Sequence, residues 1–358
     1  MRIGVVIGGG DCPGLNAVIR AVAKAAAMRR WETVGIIGGY EGLLDPQKYM
    51  ALDYNQLGGL LVRGGTILGT ASSGKFAAKV GLGESRTLPD ELLEGTLQGM
   101  KKLDLAALVS IGGDGSLSIA QQMYEYGIPV VGVPKTIDND LEGTLFTFGF
   151  DSAVACATDA LDRLHTTAES HHRIMVLEVM GRYAGWIALY AGIAGGADVI
   201  LIPEIPFQYQ SAVDKIRARE EAGKPFTLVV VAEGAHELGA AFVTSETQTG
   251  QGEVRLGGIG AIVAAELSKR TGKSARNVVL GHLQRGGGPT TFDRVLCSMF
   301  GAAAVELIAA GDFGSMVAYR GSGVGSVRIS EAIGRLKTVP QDGMLARTAR
   351  ALGVSLGD

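Results

Sequence analysis

The chain has 358 residues, of which 47% are hydrophobic and 54 are glycine, and its formal net charge is −3. This length exceeds the roughly 250–300 residues that one hydrophobic core normally supports, so we expect two lobes. The weak negative charge and the dispersed basic residues exclude the basic surface that is typical of nucleic-acid-binding proteins.

The cysteines and the apolar stretches indicate the compartment. Cys12, Cys156 and Cys297 are odd in number and far apart, so they predict neither a disulfide framework nor a zinc site. The first apolar run is too short for the core of a signal peptide. The longest uncharged stretch, 183–197, is shorter than the ~20 residues that a membrane helix needs. We therefore expect a soluble, cytoplasmic protein that binds neither nucleic acid nor membranes.

Short apolar runs alternate along the chain with segments of helical periodicity. The predicted strands are Ile3–Ile7, Val34–Ile37, Ala106–Ile111, Pro129–Val133, Ile174–Val179, Val199–Pro203, Thr227–Ala232 and Val278–Leu280. The predicted helices are Leu15–Met28, Pro89–Lys102, Ser116–Tyr126, Ser152–Leu164, Ala212–Ala222 and Ile259–Thr271. This alternation predicts an α/β fold with mostly parallel sheets that carry helices on both faces. With the length of the chain, we expect two Rossmann-like three-layer lobes and an active site in the cleft between them. The glycine-dotted stretch Asn139–Phe150 is a plausible crossing between the lobes.

Two acidic clusters each directly follow a predicted strand. One is Gly112–Ser116 and the other is Lys135–Asp140. The carboxyl ends of parallel strands are where open α/β sheets bind ligands. Carboxylates beside glycine-exposed N–H groups suit a magnesium-bound polyphosphate, so this pattern predicts a phosphoryl-transfer enzyme. The alternative for Asp138 and Asp140 is a structural Asx turn or a helix cap.

Two further glycine segments have phosphate-binding character. Gly8–Gly14 joins a predicted strand to a predicted helix, where the backbone can approach a phosphate; a purely structural turn is the alternative. Because Pro13 occupies its last position, this segment is not a dinucleotide-binding fingerprint. Gly69–Lys75 matches the P-loop spacing, but Phe76 replaces the hydroxyl residue that binds magnesium, so we do not expect a true P-loop.

Basic side chains near other strand ends suit a sugar phosphate. Arg173 opens one predicted strand, Met180–Arg182 follows the end of that strand, and His282–Gly287 follows another. Arginine binds phosphate oxygens bidentately, although a single arginine is more commonly part of a surface ion pair. Glu233 could bind sugar hydroxyls or be an ordinary surface acid.

Taken together, these motifs resemble the 6-phosphofructokinase family. The matching segments are Gly8–Asp11, Pro13–Asn16, Arg63–Thr66, Gly112–Ser116, Thr136–Asp140, Met180–Tyr183, Pro203–Glu204 and His282–Gly287. Their order and spacing cover roughly residues 1–320. The tail from Arg328 to Asp358 resembles the extension of longer bacterial members that group with pyrophosphate-dependent enzymes.

The resemblance implies transfer of the γ-phosphoryl group of MgATP to the 1-hydroxyl of fructose 6-phosphate, which gives fructose 1,6-bisphosphate. Asp138 would be the general base that takes the proton from this hydroxyl. Asp114 and Asp140 would hold Mg²⁺, while Thr136 and Arg182 would stabilise the transferring group. Positioning and charge neutralisation account for most of the catalysis in such transfers.

The resemblance also implies two sets of binding residues. The ATP-binding set is Gly10, Gly113, Asp114, Gly115 and Ser116, in a nucleotide- and magnesium-binding lobe of residues 1–149 plus about 288–330. The sugar-phosphate set is Thr136, Ile137, Asp138, Arg173, Met180, Gly181, Arg182, Glu233, Arg276, His282, Leu283, Gln284 and Arg285, mostly in a lobe of residues 150–287 plus the C-terminal tail. In the family, Arg173 and Arg276 reach across from a neighbouring subunit, which implies a homo-oligomer, either a dimer or a tetramer.

Two positions bear on the phosphoryl donor and point in different directions. Gly115 resembles ATP-dependent members, since pyrophosphate users carry Asp there, whereas Lys135 resembles pyrophosphate users. An acid beside a polyphosphate costs more than a flexible lysine does, so ATP is favoured and pyrophosphate is the alternative. Many ATP-dependent members have Arg where this chain has Ser72 or Ser73, and we hypothesise that Lys75 and Lys135 jointly replace its charge.

Two more distant functions remain as alternatives. NAD- and lipid-kinase-like proteins also use a Gly-Gly-Asp-Gly segment, but this reading leaves Met180–Tyr183 and His282–Gly287 unexplained. The chain could also be a catalytically inactive sugar-phosphate sensor. The presence of Asp114, Asp138 and Arg182 argues against a sensor.

Overall fold

The computed structural model describes residues 1–71, 74–76, 87–240 and 257–358. The strands are β1 (Arg2–Ile7), β2 (Glu32–Ile36), β3 (Tyr49–Ala51), β4 (Ala107–Gly112), β5 (Val130–Pro134), β6 (Ile174–Val179), β7 (Val199–Leu201), β8 (Thr227–Ala232), β9 (Ala275–Val279), β10 (Ser315–Tyr319) and β11 (Val324–Arg328). The helices are α1 (Leu15–Met28), α2 (Asp90–Lys102), α3 (Asp114–Glu125), α4 (Phe150–His171), α5 (Trp186–Ala194), α6 (Tyr209–Glu221), α7 (Ile259–Thr271), α8 (Thr291–Ala310), α9 (Ile329–Ala332) and α10 (Met344–Ala351).

The chain divides into two compact units. Unit one contains Met1–Ser152 and Arg285–Leu336, and unit two contains Ala153–Gln284 and Lys337–Asp358. Each unit is built around its own sheet, so each has its own core. None of the described helices is long and apolar enough to cross a membrane.

The sheet of unit one has the strand order β11-β10-β5-β4-β1-β2-β3. The pairs within β10-β5-β4-β1-β2 are parallel, and β3 and β11 are antiparallel edge strands. All six residues of β4 are buried, as expected for a parallel strand that is covered on both faces. The predicted α/β fold with mostly parallel sheets is therefore confirmed.

Helices in unit one are held by close backbone packing and by a side chain of one helix that caps the N-terminus of another. Helices α1 and α8 pack so closely that a methyl group at Gly301 would lie 2.5 Å from the Cβ of Ala21. The fully buried carboxylate of Asp293, in the first turn of α8, accepts the N–H groups of Gly149 (3.0 Å) and Ser152 (2.9 Å) at the start of α4. This carboxylate satisfies N–H groups that lack a partner within their own helix. Burial raises the pKa of Asp293 to about 6.

The sheet of unit two has the order β7-β8-β6-β9, and its strand pairs are parallel. The C-terminal segment, defined as residues 337–358, runs along the outer edge of β7. The N–H of Ile200 donates to the carbonyl of Ser355 (2.9 Å), and the N–H of Ser355 donates to the carbonyl of Asp198 (3.0 Å). These bonds pair backbone groups on the β7 edge that would otherwise be exposed.

Candidate active site

The two acidic clusters lie side by side in unit one. Gly112 is the last residue of β4 and pairs with Pro134, the last residue of the neighbouring parallel strand β5. The N–H of Lys135 donates to the carbonyl of Gly112 at 2.9 Å. Both clusters therefore lie at the same carboxyl edge of one sheet.

The first cluster forms the beginning of helix α3. Gly113 is the N-cap, and Asp114, Gly115 and Ser116 are the first three helical residues. The N–H groups of this turn lack intrahelical acceptors and favour an anion. A Cβ at Gly8 would lie only 2.5 Å from the Oγ of Ser116, so glycine is required where the end of β1 meets this turn.

The loop after β1 is fixed through its carbonyl groups. The hydroxyl of Thr70 donates to the carbonyl of Gly9 at 2.5 Å. The ammonium of Lys135 donates to the carbonyl of Gly10, and Nη1 of Arg285 donates to that of Asp11 at 3.1 Å. Lys135 is only 4% exposed, and its burial lowers its pKa to about 8.

The carboxylates of the two clusters influence one another electrostatically. The pKa of Asp140 is raised to about 7, chiefly by burial and additionally by the negative charges of Asp138 and Asp114. A hydrogen bond with the side chain of Thr136 lowers it in part. Such a group of carboxylates is stabilised by a cation, so the arrangement is electrostatically suited to a metal ion.

The donor set fits Mg²⁺ only if the ligand supplies further oxygens. The described residues contain no group of three or more His, Cys, Asp or Glu arranged to hold a metal. The Oδ1 of Asp114 already accepts the N–H of Gly334 at 3.0 Å. Mg²⁺ is commonly held by one or two carboxylates together with substrate phosphates, so Asp114 and Asp140 fit an ion that arrives on a polyphosphate.

The turn that carries Asp138 is held by backbone and amide contacts. Asn139 adopts the left-handed conformation with φ of 52°, and its Oδ1 accepts the N–H of Thr147 at 3.1 Å. The hydroxyl of Thr136 accepts the N–H of Asp138 at 3.2 Å. Ile137 is fully buried.

Two other motifs in unit one have structural contacts. The buried amide of Asn16 donates to the carbonyls of Arg63 (3.2 Å) and Gly64 (3.1 Å) and accepts the N–H of Ile67 (2.9 Å). A Cβ at Gly64 would lie 2.0 Å from the carbonyl oxygen of Gly287. These glycines allow the Arg63–Thr66 turn to pack directly on the backbone that follows Arg285.

In unit two, the predicted sugar-binding residues follow neighbouring strands. Met180 follows β6 and Glu233 follows β8, and the last residues of these strands are paired. The buried Gln284 accepts the N–H of Met180 at 3.4 Å and donates to the carbonyl of Gly281 at 3.3 Å, which connects the segment after β9 to the end of β6. His282 and Leu283 lie in this segment and are exposed.

Arg182 lies in a tightly packed connection between β6 and α5. Its guanidinium lies 5.1 Å from the ring centroid of Tyr183. The preceding Gly181 has a φ of 130°, which favours glycine, and its carbonyl accepts the N–H of Gly234 at 3.2 Å.

Arg173 and Arg276 lie at the opposite end of the unit-two sheet. Arg173 immediately precedes β6, and Arg276 in β9 pairs with Met175 near the start of β6. A six-residue strand spans about 20 Å, so one chain does not bring these arginines together with Met180.

Several contacts that organise the site were not evident from the sequence. The bond of Thr70 to Gly9 in the loop after β1 and the bond of Gly334 to Asp114 depend on tertiary structure, and no local pattern predicts them. Ser72 and Ser73 lie outside the described residues. The backbone N–H of Lys75 donates to Oε1 of Glu41 at 2.6 Å.

Parallel α/β sheets with carboxylates and a helix N-terminus at a shared strand edge define the class of phosphate-binding α/β proteins. A family model described as phosphofructokinase matches residues 2–308. The ATP-dependent 6-phosphofructokinase of Chloroflexus aurantiacus is 52% identical over 362 residues, which cover 100% of this chain and 98% of that protein. The chain therefore belongs to the phosphofructokinase family.

Other relatives differ in the donor that their names specify. The pyrophosphate–fructose 6-phosphate 1-phosphotransferase of Amycolatopsis methanolica is 50% identical over 346 residues, which cover 96% of this chain and 97% of that protein. Phosphofructokinase from Saccharomyces cerevisiae matches with a TM-score of 0.78 and 29% identity over 92% of this chain, which spans only 45% of the yeast chain. A pyrophosphate-dependent phosphofructokinase from Nitrosospira multiformis has the same fold, with a TM-score of 0.79 and 22% identity over 100% of this chain and 92% of that chain.

Proposed function

We propose that the protein is an ATP-dependent 6-phosphofructokinase, which transfers the γ-phosphoryl group of MgATP to the 1-hydroxyl of fructose 6-phosphate. The observation that carries this proposal is the placement of the Asp114 cluster beside the Asp138–Asp140 cluster, at the paired carboxyl ends of β4 and β5. The family and the names of full-length relatives support the same reaction.

In this reaction Asp138 accepts the proton of the attacking hydroxyl. Asp114 and Asp140 hold Mg²⁺, which neutralises charge on the polyphosphate when it is bound. Thr136 and Arg182 stabilise the transferring phosphoryl group through hydrogen bonds and charge. The hydroxyl of Thr136 already contacts the backbone of Asp138, so the residues of this turn are fixed relative to each other.

Polyphosphate binding is assigned to unit one. The N–H groups in the first turn of α3 and the N–H of Gly10 bind phosphate oxygens, with Gly113, Gly115 and Ser116 in that turn. The sugar phosphate is bound by residues at the carboxyl edge of the unit-two sheet and by Arg285. The unit-two residues are Met180, Gly181, Arg182, Glu233, His282, Leu283 and Gln284.

Arg173 and Arg276 lie about 20 Å from that edge within the same unit, given the length of β6. They therefore serve the sugar-phosphate site of a neighbouring copy. This role requires a homo-oligomer, either a dimer or a tetramer.

The contact of Lys135 removes one argument for pyrophosphate as the donor. Its ammonium is bonded to the carbonyl of Gly10, so the lysine has a structural partner and is not by itself a sign of pyrophosphate use. Gly115 lies in the first turn of α3, where an acid would repel the donor phosphates. The pyrophosphate-dependent relative from Amycolatopsis methanolica keeps pyrophosphate as the second candidate donor.

The test is a coupled assay of fructose 1,6-bisphosphate formation with each donor. We expect turnover with ATP, and we expect Gly115→Asp to lower kcat/KM for ATP by about 10²-fold or more through charge repulsion. Gly115→Asn is the matched uncharged control, and it should retain more activity. Turnover with pyrophosphate alone would refute the choice of donor. A protein that binds fructose 6-phosphate without turnover from either donor would be a sensor.

A further inference from the structure

Glu204 has no role in the proposed reaction, yet its carboxylate is closely engaged in unit two. Oε1 accepts the N–H of Gly185 at 3.0 Å and that of Val339 at 2.7 Å, and Oε2 lies 3.1 Å from the same Gly185 nitrogen. The side chain is partly buried, and the residue lies three positions after the end of β7. This single carboxylate therefore joins two segments that are more than a hundred residues apart in sequence.

The first segment ends at a helix N-terminus. Gly185 is the N-cap of α5, where a negative charge is favourable. A Cβ at Gly185 would lie 2.4 Å from the side chain of Ile202 and 3.0 Å from Oε2 of Glu204. Glycine at this position is what allows the carboxylate to approach the backbone so closely.

That first segment, Met180–Gly185, is held at both ends with Arg182 between them. At its start, Gln284 accepts the N–H of Met180, and the carbonyl of Gly181 accepts a backbone N–H. At its end, Glu204 holds Gly185. Removing the carboxylate would therefore release one end of the connection that carries Arg182.

The second segment is the C-terminal segment. Besides the bond from Val339, the indole Nε1 of Trp186 donates to the carbonyl of Lys337 at 2.8 Å. The side-chain amide of Gln341 donates to the backbone carbonyl of Glu204. The first turn of α5 and the C-terminal segment thus meet at Glu204.

We propose that Glu204 is a positioning residue for phosphoryl transfer, which acts by holding the segment that carries Arg182 against the C-terminal segment. This inference rests on the role of Arg182 in the proposed function. A displaced Arg182 stabilises the transferring group less well, whereas the sugar-phosphate contacts of other residues are kept. The expected signature is a loss of kcat that exceeds the change in KM.

The first test compares Glu204→Ala with Glu204→Gln. We expect Ala to lower kcat by about 10- to 100-fold with KM for fructose 6-phosphate changed by less than about threefold, since a 1 Å misplacement can cost about 10²-fold. Gln retains Oε1, which accepts both N–H groups, and should keep kcat within about threefold of wild type. If the Ala variant fails to fold, Glu204→Asp, which shortens the side chain by one methylene, replaces it in the same measurement of kcat and KM.

Asp198→Ala is the matched control. Asp198 lies at the other end of β7, and its carboxylate also accepts a backbone N–H, that of Leu228 at 2.9 Å. We expect this variant to lose thermal stability while it keeps kcat. An equal loss of kcat in both Ala variants would overturn the proposal, because the loss would then reflect general destabilisation.

A double-mutant cycle separates this inference from the proposed function. In an Arg182→Ala background, Glu204→Ala should lower kcat by less than about threefold further, because the two residues act through one group. Additive losses, or an unchanged kcat in Glu204→Ala alone, overturn the positioning role and leave the proposed function intact. An unchanged kcat in Arg182→Ala alone overturns both.

Discussion

Substitution of Gly234 by alanine tests whether backbone placement of Arg182 controls catalysis. A Cβ at this position would lie 1.9 Å from the carbonyl oxygen of Arg182 and 3.1 Å from that of Gly181. Since ordinary contacts begin near 3.4 Å, the Arg182 backbone must move by about 1.5 Å. The neighbouring atoms are backbone, so no flexible side chain can absorb this shift.

A displacement of this size predicts a large catalytic effect. A misplacement of 1 Å can cost about 10²-fold, so we expect kcat to fall by about 10²-fold in Gly234→Ala. Overpacking should also lower the free energy of unfolding by about 1–3 kcal/mol. The loss of kcat should not exceed that of Arg182→Ala, because the effect acts through this residue.

The assay is steady-state turnover with ATP and fructose 6-phosphate, combined with thermal unfolding of the same preparations. Gly58→Ala is the matched control, since a Cβ there meets nothing within 4 Å and Gly58 does not have a positive φ. We expect wild-type kcat in this control. A folded Gly234→Ala protein with kcat within about threefold of wild type would refute the reasoning.

Three further predictions concern unit one. Asp138→Asn should lower kcat by about 10²–10⁴-fold while binding of fructose 6-phosphate is kept, whereas an equal loss of binding would indicate a structural turn. Asn16→Ala should lower the free energy of unfolding by about 2–4 kcal/mol, because three backbone groups lose their hydrogen-bond partner. Denaturant titration measures this loss, and the exposed control Asn55→Ala should lie within about 0.5 kcal/mol of wild type. The folded pKa of Asp293 is raised to about 6, so its contribution to stability is present below its unfolded pKa of 3.8 and is lost as the pH rises through 6. We therefore compare the unfolding free energy of wild type with that of Asp293→Asn. The difference between the two proteins should fall by up to about 3 kcal/mol between pH 4 and pH 7, and a difference that does not change with pH would contradict this prediction.

Where local patterns are strong, the sequence predicts the elements closely. The bounds of β6, β8, α1 and α7 agree with the prediction, because apolar runs and helical periodicity are properties of neighbouring residues. The clusters around Asp114 and Asp138 were correctly expected at strand ends. The resemblance to the phosphofructokinase family was also correct.

Other elements were missed. Helix α5 lies in the uncharged stretch 183–197, and its mostly buried, apolar residues show little amphipathic periodicity. Strand β3 has only three residues, and in the antiparallel edge strand β11 the two valines are separated by Gly325 and Ser326. Strand β10 was also missed. Helix α8 was missed even though its N-cap Thr290 and the glycine that ends it are recognisable signals.

The sequence by itself determined the α/β class, the order of the motifs and the residue types that can hold a magnesium polyphosphate and a sugar phosphate. Only the tertiary structure decided which of these residues are neighbours. It bonds Lys135 to Gly10 and Glu204 to both Gly185 and Val339, and it separates Arg173 from Met180 by the length of a strand. The physical reason is that periodicity and turn chemistry act between adjacent residues, whereas contacts between distant residues depend on strand order and register.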